Sequence, residues 1–181
     1  MAEPARNFPI ITPEDYLERE HDASMKHEFV DGVVYMMAGT SRRHNTIALQ
    51  THRLLSGGVS KPCEAFALDI KLEVKTADAV QYFYPDGLVT CSELDNDPHI
   101  IRQPVLLIEV LSDSTRDYDR DEKFEKYRLL PSLQEYLLVE QEGQRLELFR
   151  KRTGWQGERY APPDEITLES VSMTMPVMSF Y

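Results

Sequence analysis

The stretch PVLLIEVL, residues 104–111, decides the fold class. A short apolar run of this kind is typical of a central β-strand that is covered on both faces. Glu109 is the only charged residue in it. Because burying an ionised carboxylate without a partner is costly, Glu109 requires a cation or a basic side chain from elsewhere in the chain.

The sequence around this strand alternates helical and β-like patterns. Apolar residues recur at three-and-four spacing in the helical segments and at every second residue in the strands. Turn and capping residues such as Thr12-Pro13 and Asp31-Gly32 mark the boundaries. We predict, in chain order, a helix from Thr12 to about Glu20, a hairpin around Asp31 and Gly32, a helix from Ser41 to Leu55, strands Glu64–Val74 and Tyr82–Cys91, the central strand, a helix with Phe124, Tyr127 and Leu130 facing inward, and a hairpin of residues 135–140 and 145–150. This order indicates an α/β protein.

Length and composition limit the class of protein. A chain of 181 residues with 41% hydrophobic and 28% charged residues is sufficient for one globular domain, which we expect to span residues 1–181. The apolar runs are too short to cross a bilayer, and MAEPARNFPI at the N-terminus does not resemble a secretory signal. We therefore expect a cytoplasmic protein without a membrane partner.

The two cysteines and the net charge are less informative. Cys63 and Cys91 lack the spacing of a zinc or redox motif, and we interpret both as small core residues. A net charge of −11 is unfavourable for binding a polyphosphate. Local basic clusters at Arg42, Arg43 and His44, and at residues 150–152, nevertheless remain available to contact phosphate.

Asp86 is the natural partner of Glu109 at a metal site. It follows Pro85, which cannot donate to a β-ladder and so indicates a strand start at this point. If the two strands are neighbours, both carboxylates meet at one end of the sheet and leave most of the coordination of a magnesium ion to water and phosphate. Two alternatives remain open: Asp86 as a turn residue of Pro-Asp-Gly, and Glu109 in a buried salt bridge to a lysine or arginine.

Lys123 borders the apolar stripe of the helix that follows the central strand. It precedes Phe124 by one residue and Tyr127 by four, so its amine can reach the strand ends. The alternative is an exposed ion pair with Asp119, four residues earlier.

Several ordered motifs now point to a known family. YPDG contains Asp86, LLIEVLSDST contains Glu109, YDRDEKFEKY contains Lys123, and HEFVDGVVYMMAGTSRRH precedes them. Together, from about Tyr16 to Arg150, they resemble the bacterial Uma-two family of restriction endonucleases, within the PD-(D/E)XK nuclease superfamily.

This resemblance implies a restriction-endonuclease-like fold, a central mixed β-sheet flanked by helices, with a magnesium site formed by Asp86 and Glu109. The superfamily lysine stands two residues after the glutamate, where this chain has Leu111. The resemblance implies that Lys123 on the next helix replaces it.

Three further residues are candidates for the same site. Glu28 and His44 match family positions, Glu28 as an accessory ligand or base, while Asp69 is an accessory candidate on the polar face of its predicted strand. Glu28 could instead face solvent at the start of the hairpin. His44 could be a hydrogen-bonded packing residue on the apolar face of its helix.

The leading hypothesis is metal-dependent hydrolysis of phosphodiester bonds in DNA, with Mg²⁺, or Mn²⁺ in its place, at Asp86 and Glu109. An alternative is a catalytically inactive nuclease fold that binds DNA or another protein. A third is an assembly protein whose apolar tail SMTMPVMSFY binds a partner, although this tail could simply close the core. By analogy with enzymes that cut both strands of a duplex, a homodimer is expected.

Overall fold

The computed structural model describes residues 11–37, 39–67, 69–113 and 115–181. The helices are α1 (Pro13–His21), α2 (Arg42–Gly58), α3 (Arg116–Tyr118) and α4 (Phe124–Tyr127), with a π-helical turn, Asp119–Lys123, between the last two. The strands are β1 (His27–Val30), β2 (Val33–Met36), β3 (Glu64–Phe66), β4 (Lys71–Lys75), β5 (Val80–Phe83), β6 (Gly87–Thr90), β7 (Ile100–Ile101), β8 (Pro104–Leu111), β9 (Glu135–Glu140), β10 (Leu146–Arg150), β11 (Gly157–Tyr160), β12 (Glu165–Leu168) and β13 (Met173–Pro176). Short 3-10 helices cover Lys151–Thr153, Glu169–Val171 and Val177–Phe180.

The strands form two main sheets and a separate hairpin. One sheet has the order β2-β1-β5-β4-β7, and the other has the order β11-β10-β9-β8-β6-β3. The second sheet is mixed, since β8 is parallel to β9 but antiparallel to β6. Its central strand β8 is the predicted 104–111 segment, and all but one of its residues are buried.

Local sequence explains most of these elements. Thr12 caps α1 in a reciprocal capping box with Asp15, and the Ser41 side chain accepts the His44 N–H at the start of α2. Asp31 and Gly32 have positive φ angles of 50° and 82° in the β1–β2 hairpin, as the Asp-Gly turn requires. The helix starts, both hairpins and the central strand therefore follow the prediction. The predicted strand Tyr82–Cys91 is wrong, because it consists of β5 in the first sheet and β6 in the second, with Pro85 between them.

The predicted strand Glu64–Val74 is wrong. It consists of two strands in different sheets, β3 beside β6 and β4 beside β5, and Asp69 lies between them at a φ of 67°. Phe66 and Ile70 pack against the same apolar cluster, which explains why alternation continues across the break. Leu68, which belongs to the predicted strand, lies outside the described residues. So do residues 1–10, on which the expectation about a secretory signal rests.

The cysteines are also not as predicted. Cys63 and Cys91 form a disulfide instead of serving as free core residues. Their pairing follows from the register of β3 and β6, in which Glu64 stands opposite Thr90 and so brings the adjacent cysteines together.

Helices and the C-terminal tail cover the sheets. Phe124, Tyr127 and Leu130 pack with Leu107 and Leu111 on one face of β8. Ile47, Ala48 and Leu55 of α2 pack on the other side, together with Val177 and Phe180 of the tail. The tail thus closes the core.

Within the described residues, none of the helices is long and apolar enough to span a bilayer.

Candidate metal and catalytic site

Asp86 and Glu109 are held side by side by reciprocal backbone contacts between neighbouring strands. The Val110 N–H donates to Asp86 Oδ2 at 2.8 Å, and the Asp86 N–H donates to Glu109 Oε2 at 3.4 Å. The antiparallel pairing of Gly87 with Ile108 sets this register. The two acids, 23 residues apart in the chain, therefore converge at one end of the second sheet.

Glu109 points towards the helical segment after β8. It is only 3% exposed, on the strand face that also carries Leu107 and Leu111. Its Oε1 accepts hydrogen bonds from Lys123 Nζ at 3.2 Å and from the Tyr127 hydroxyl at 2.8 Å. The buried lysine salt bridge considered for Glu109 is therefore present, and its basic partner is the lysine that was expected at the site.

Lys123 is surrounded by carboxylates. Besides Glu109, its Nζ lies 3.0 Å from Glu28 Oε1 and 3.4 Å from Asp119 Oδ1. Lys123 and Asp119 are both buried, so the exposed ion pair considered for them is not what forms. They lie at the two ends of the π-helical turn, a type of distortion that is common at functional sites.

Glu28 brings the first sheet into the cluster. It lies in β1, is buried, and accepts the Tyr84 N–H at 3.4 Å in addition to the bond from Lys123. The solvent-facing alternative for Glu28 is therefore wrong. Because Glu109 lies in the second sheet, the Lys123 ammonium joins the two sheets at this point.

His44 reaches the cluster from the first turn of α2. Its Nε2 lies 3.2 Å from Asp86 Oδ2, while its buried Nδ1 has no hydrogen-bond partner among the described residues. Burial opposes protonation, but the bond to Asp86 and the charge of that carboxylate prevail and raise the pKa of His44. The imidazole is thus both packed on the helix face and in contact with a site carboxylate.

Asp69 lies apart from this group. Its side chain is exposed in the connection between β3 and β4, and within the described ranges no hydrogen bond or ion pair joins it to the cluster. The break in the predicted strand removes the face on which Asp69 was placed. The structure thus brings together Glu28, His44, Asp86, Glu109 and Lys123, but not Asp69.

Asp119 and Tyr127 are members of the cluster that the sequence analysis did not assign to the site. Asp119, Lys123 and Tyr127 are spaced by four residues, which places them along one side of a helix. This spacing was visible in the sequence. What it could not provide was the burial of Asp119, whose carbonyl accepts the Tyr136 hydroxyl at 2.9 Å and whose carboxylate contacts Lys123.

Burial and acidic neighbours dominate the electrostatics. Desolvation raises the pKa of Glu109 well above its usual range; Lys123 opposes this shift, while Asp119, Asp86 and Glu28 reinforce it. Desolvation also raises the pKa of Asp119. The same acids outweigh the burial of Lys123 and keep its pKa high, so the ammonium stays charged. With four carboxylates facing one ammonium and one imidazole, the cluster favours an additional cation.

The donor set suits a hard cation in an open site. Among residues 11–37, 39–67, 69–113 and 115–181, no group of three or more His, Cys, Asp or Glu side chains is placed to hold a metal ion. Two neighbouring carboxylates are, however, what Mg²⁺ commonly takes from a protein, with water and phosphate oxygens completing its shell. The Asp86 side chain keeps 17% of its surface exposed, which leaves its carboxylate accessible to solvent, whereas Glu109 beside it is buried. The residues present therefore fit Mg²⁺ or Mn²⁺.

The basic clusters expected to contact phosphate differ in availability. Arg150 is buried and pairs with Glu135 at 3.0 Å and also with Glu158, so its part of the cluster is structural. Arg152 pairs with Glu169. Arg42 and Arg43, in the first turn of α2 beside His44, are exposed. Arg43 nevertheless donates to the Gln141 carbonyl at 2.6 Å and lies 3.5 Å from Glu142, so Arg42 is the more available of the two.

Comparison with known proteins identifies relatives over nearly the whole chain. A protein of Synechocystis sp. named "Uncharacterized protein slr1290" is 35% identical over 98% of this chain and 95% of its own length. Another from that organism, "Uncharacterized protein sll1609", is 38% identical over 78% of this chain and 81% of its own.

A solved structure shares the fold. The crystal structure of a protein from Anabaena variabilis, described as a putative nuclease belonging to DUF820, superposes with a TM-score of 0.74 at 17% identity, covering 94% of this chain and 97% of that one. This similarity confirms the restriction-endonuclease-like α/β fold expected from the sequence. Residues 13–177 match the family model Uma2, described as "Putative restriction endonuclease", and the chain therefore belongs to the Uma2 family.

Proposed function

We propose that this protein is a metal-dependent nuclease that hydrolyses phosphodiester bonds in DNA, with residues 1–181 acting as one domain in the cytoplasm. The observation that carries the proposal is the contact of Asp86 and Glu109 at a sheet end, beside a buried lysine. Family membership supports nuclease chemistry in general. The substrate, the metal and the residue roles are our own assignment.

Asp86 and Glu109 would hold Mg²⁺, or Mn²⁺, which supplies Lewis-acid polarisation of the phosphate and a more acidic bound water. The strand backbone fixes the Asp86 carboxylate through the Val110 N–H, so little reorganisation is needed when substrate arrives. Asp86 Oδ1 makes no hydrogen bond within the described part of the chain and is free to bind a cation.

Lys123 would stabilise negative charge that develops on the phosphate. Its pKa is held high, so it serves as a fixed positive charge and not as a general base. Glu28, which also contacts the ammonium, would orient Lys123 or accept a proton from water. These contacts support an accessory role for Glu28.

His44 and the start of α2 would guide the phosphate. The first turn of α2 contains Arg42, Arg43 and His44 and no acidic residue. The free N–H groups and dipole of a helix N-terminus favour an anion there. Because His44 contacts Asp86, a phosphate held at this turn would lie next to the metal-binding carboxylates.

An inactive nuclease fold is the second candidate. Lys123 is enclosed by three carboxylates, and both oxygens of Glu109 already accept hydrogen bonds. Such a cluster could serve stability alone in a module that binds DNA or protein. This candidate predicts no turnover and no metal affinity that depends on Asp86.

Purified protein should be incubated with DNA and Mg²⁺ or Mn²⁺, and metal binding measured separately by calorimetry. We expect Asp86→Asn and Glu109→Gln to abolish cleavage and weaken metal binding. Asp69→Asn is the matched control, because it removes an exposed carboxylate outside the cluster and asparagine tolerates a positive φ. Cleavage that survives both site substitutions would defeat the proposal, as would equal metal binding by all variants.

The oligomeric state is a separate expectation. A symmetric dimer would present two sites to the two strands of a duplex. Light scattering coupled to gel filtration measures this directly, and a mass of one chain at assay concentration would exclude the dimer.

A further inference from the structure

Tyr35 places an exposed aromatic ring beside the carboxylate cluster. It lies in β2 directly opposite Glu28 of β1, and opposed residues of antiparallel strands project from the same face. Tyr35 is 38% exposed, whereas Glu28 is buried. The phenol therefore lies at the edge where solvent meets the cluster.

Tyr118 also lies beside the Glu28–Lys123 pair. The Lys123 ammonium is 5.6 Å from the centre of its ring. Burial raises the pKa of Tyr118, Glu28 raises it further against the opposing charge of Lys123, and the Tyr35 hydroxyl adds a smaller contribution. Two tyrosines thus lie near the same ion pair, and Tyr35 is the more exposed of the two.

Three cations near the cluster are already paired with carboxylates. Arg116 and Arg120 both pair with Glu140, and Lys126 pairs with Asp31. The chain as a whole carries a net charge of −11. Tight binding to duplex DNA depends on many lysine and arginine contacts to phosphate, and both the pairing of these three side chains and the net negative charge weaken it.

Aromatic stacking does not need such cations. Each base stacked on an aromatic side chain stabilises a single-strand complex without regard to sequence, but the base must be unpaired for the ring to reach its face. An exposed tyrosine opposite Glu28, which shares the Lys123 ammonium with Glu109, offers such a ring on the same side of the fold as the cluster.

We propose that Tyr35 stacks on an unpaired nucleobase adjacent to the phosphate that is cleaved, so that the site accepts single-stranded or frayed DNA in preference to paired duplex. The inference rests on the proposed nuclease function and specifies its substrate class. Tyr35 is thus a specificity-determining residue that contacts the substrate.

Binding should be measured by fluorescence anisotropy in the Asp86→Asn background with Mg²⁺, using one labelled oligonucleotide both single-stranded and annealed to its complement. We expect the single strand to bind more tightly. Tyr35→Ser should weaken its binding about tenfold, within the range typical of losing one stacked base, while Tyr35→Phe should retain it.

Met36→Ser is the matched control. Met36 is the next residue of the same strand, is 62% exposed and points to the opposite face, so its replacement should leave binding unchanged. Equal weakening by Tyr35→Ser and Met36→Ser, or tighter binding of the duplex, would overturn the inference.

The same oligonucleotides separate this inference from the proposed function. Wild-type protein should cleave the single strand faster than the duplex. Tyr35→Ser should reduce the ratio of these two cleavage rates. Faster cleavage of the duplex than of the single strand contradicts the inference alone. Absence of cleavage, with Tyr35-dependent binding of the single strand intact, contradicts the nuclease proposal alone.

Discussion

Lys123 Nζ lies 3.2 Å from Glu109 Oε1, which ties the π-helical turn to the central strand β8. Neither side chain is more than 8% exposed, so both charges are removed from water. A buried pair of this kind stabilises little overall, because desolvation offsets most of the attraction. Without Glu109, Lys123 keeps Glu28 and Asp119 as partners, whereas without Lys123 three carboxylates lose their shared ammonium. The two members should therefore respond differently to neutral substitution.

Glu109→Gln should make the protein more stable at neutral pH while abolishing metal-dependent cleavage. The pKa of Glu109 is raised in the folded state, so its charged form opposes folding above that raised pKa, and the penalty disappears as pH falls below its unfolded value. We expect a gain of about 1 kcal/mol at neutral pH. Urea unfolding at neutral and acid pH measures it, and a variant less stable than wild type at neutral pH would contradict the account.

Lys123→Met should be strongly destabilising. It leaves Glu28, Glu109 and Asp119 buried without their shared cation, a loss typically of about 3–5 kcal/mol. The deficit should shrink at mildly acid pH, because Glu109 and Asp119 have raised pKa values and can take up protons. Chemical unfolding across that pH range provides the measurement.

Lys126→Met is the matched control for Lys123→Met, since Lys126 pairs with the exposed carboxylate of Asp31. Exposed pairs contribute only about 0–1 kcal/mol. Equal losses of unfolding free energy in the two variants would show that the buried Lys123 pairs contribute no more to stability than an exposed pair.

Glu140→Gln should lower stability at neutral pH but not in acid. Burial opposes ionisation of Glu140, yet hydrogen bonds and charges from Arg116 and then Arg120 hold its pKa below the usual range. A carboxylate with a lowered folded pKa contributes stability above its unfolded pKa and loses it as pH falls through the lowered value. We expect a difference of about 1 kcal/mol at neutral pH.

The measurement for Glu140 is the free energy of unfolding of wild type and variant at each pH. The two curves should converge below the ordinary carboxyl range. A gap that persists unchanged in acid would show that the loss comes from packing and not from charge.

Reduction of the Cys63–Cys91 disulfide should destabilise the fold without separating the residues of the carboxylate cluster. The bond closes a loop over a sequence separation of 28, for which loop entropy predicts about 3–4 kcal/mol. Cys63→Ser and Cys91→Ser should each show this loss, and a reductant should have no further effect on either. Two titratable thiols in the unreduced, denatured protein would refute the pairing.

Short-range signals made the fold largely predictable. Thr12, Ser41 and Asp31-Gly32 act on their immediate neighbours, and the apolar run 104–111 can only be satisfied in the interior of a sheet. The error at 64–74 has the opposite origin. A two-residue period continues through two short strands as readily as through one long strand, and only long-range pairing with β6 and β5 separates them.

The residues of the site also separate into those that the local sequence predicts and those that depend on long-range packing. Glu109 could be singled out because a lone charge in an apolar strand conflicts with burial, and Asp86 because Pro85 marks a strand start. The burial of Glu28 and Asp119 depends on two sheets meeting through Lys123, which no local pattern encodes. Arg150 was misjudged for the same reason, since its partner Glu135 lies on the adjacent strand β9.

The most direct test of the central claim is to locate the metal. Crystals soaked with Mn²⁺ should show an anomalous scattering peak within about 2.5 Å of carboxylate oxygens of both Asp86 and Glu109, and the peak should vanish in Asp86→Asn crystals. A peak elsewhere, or none at saturating Mn²⁺ with the Lys123–Glu109 pair undisturbed, would contradict the assignment of these two acids as the metal-binding pair.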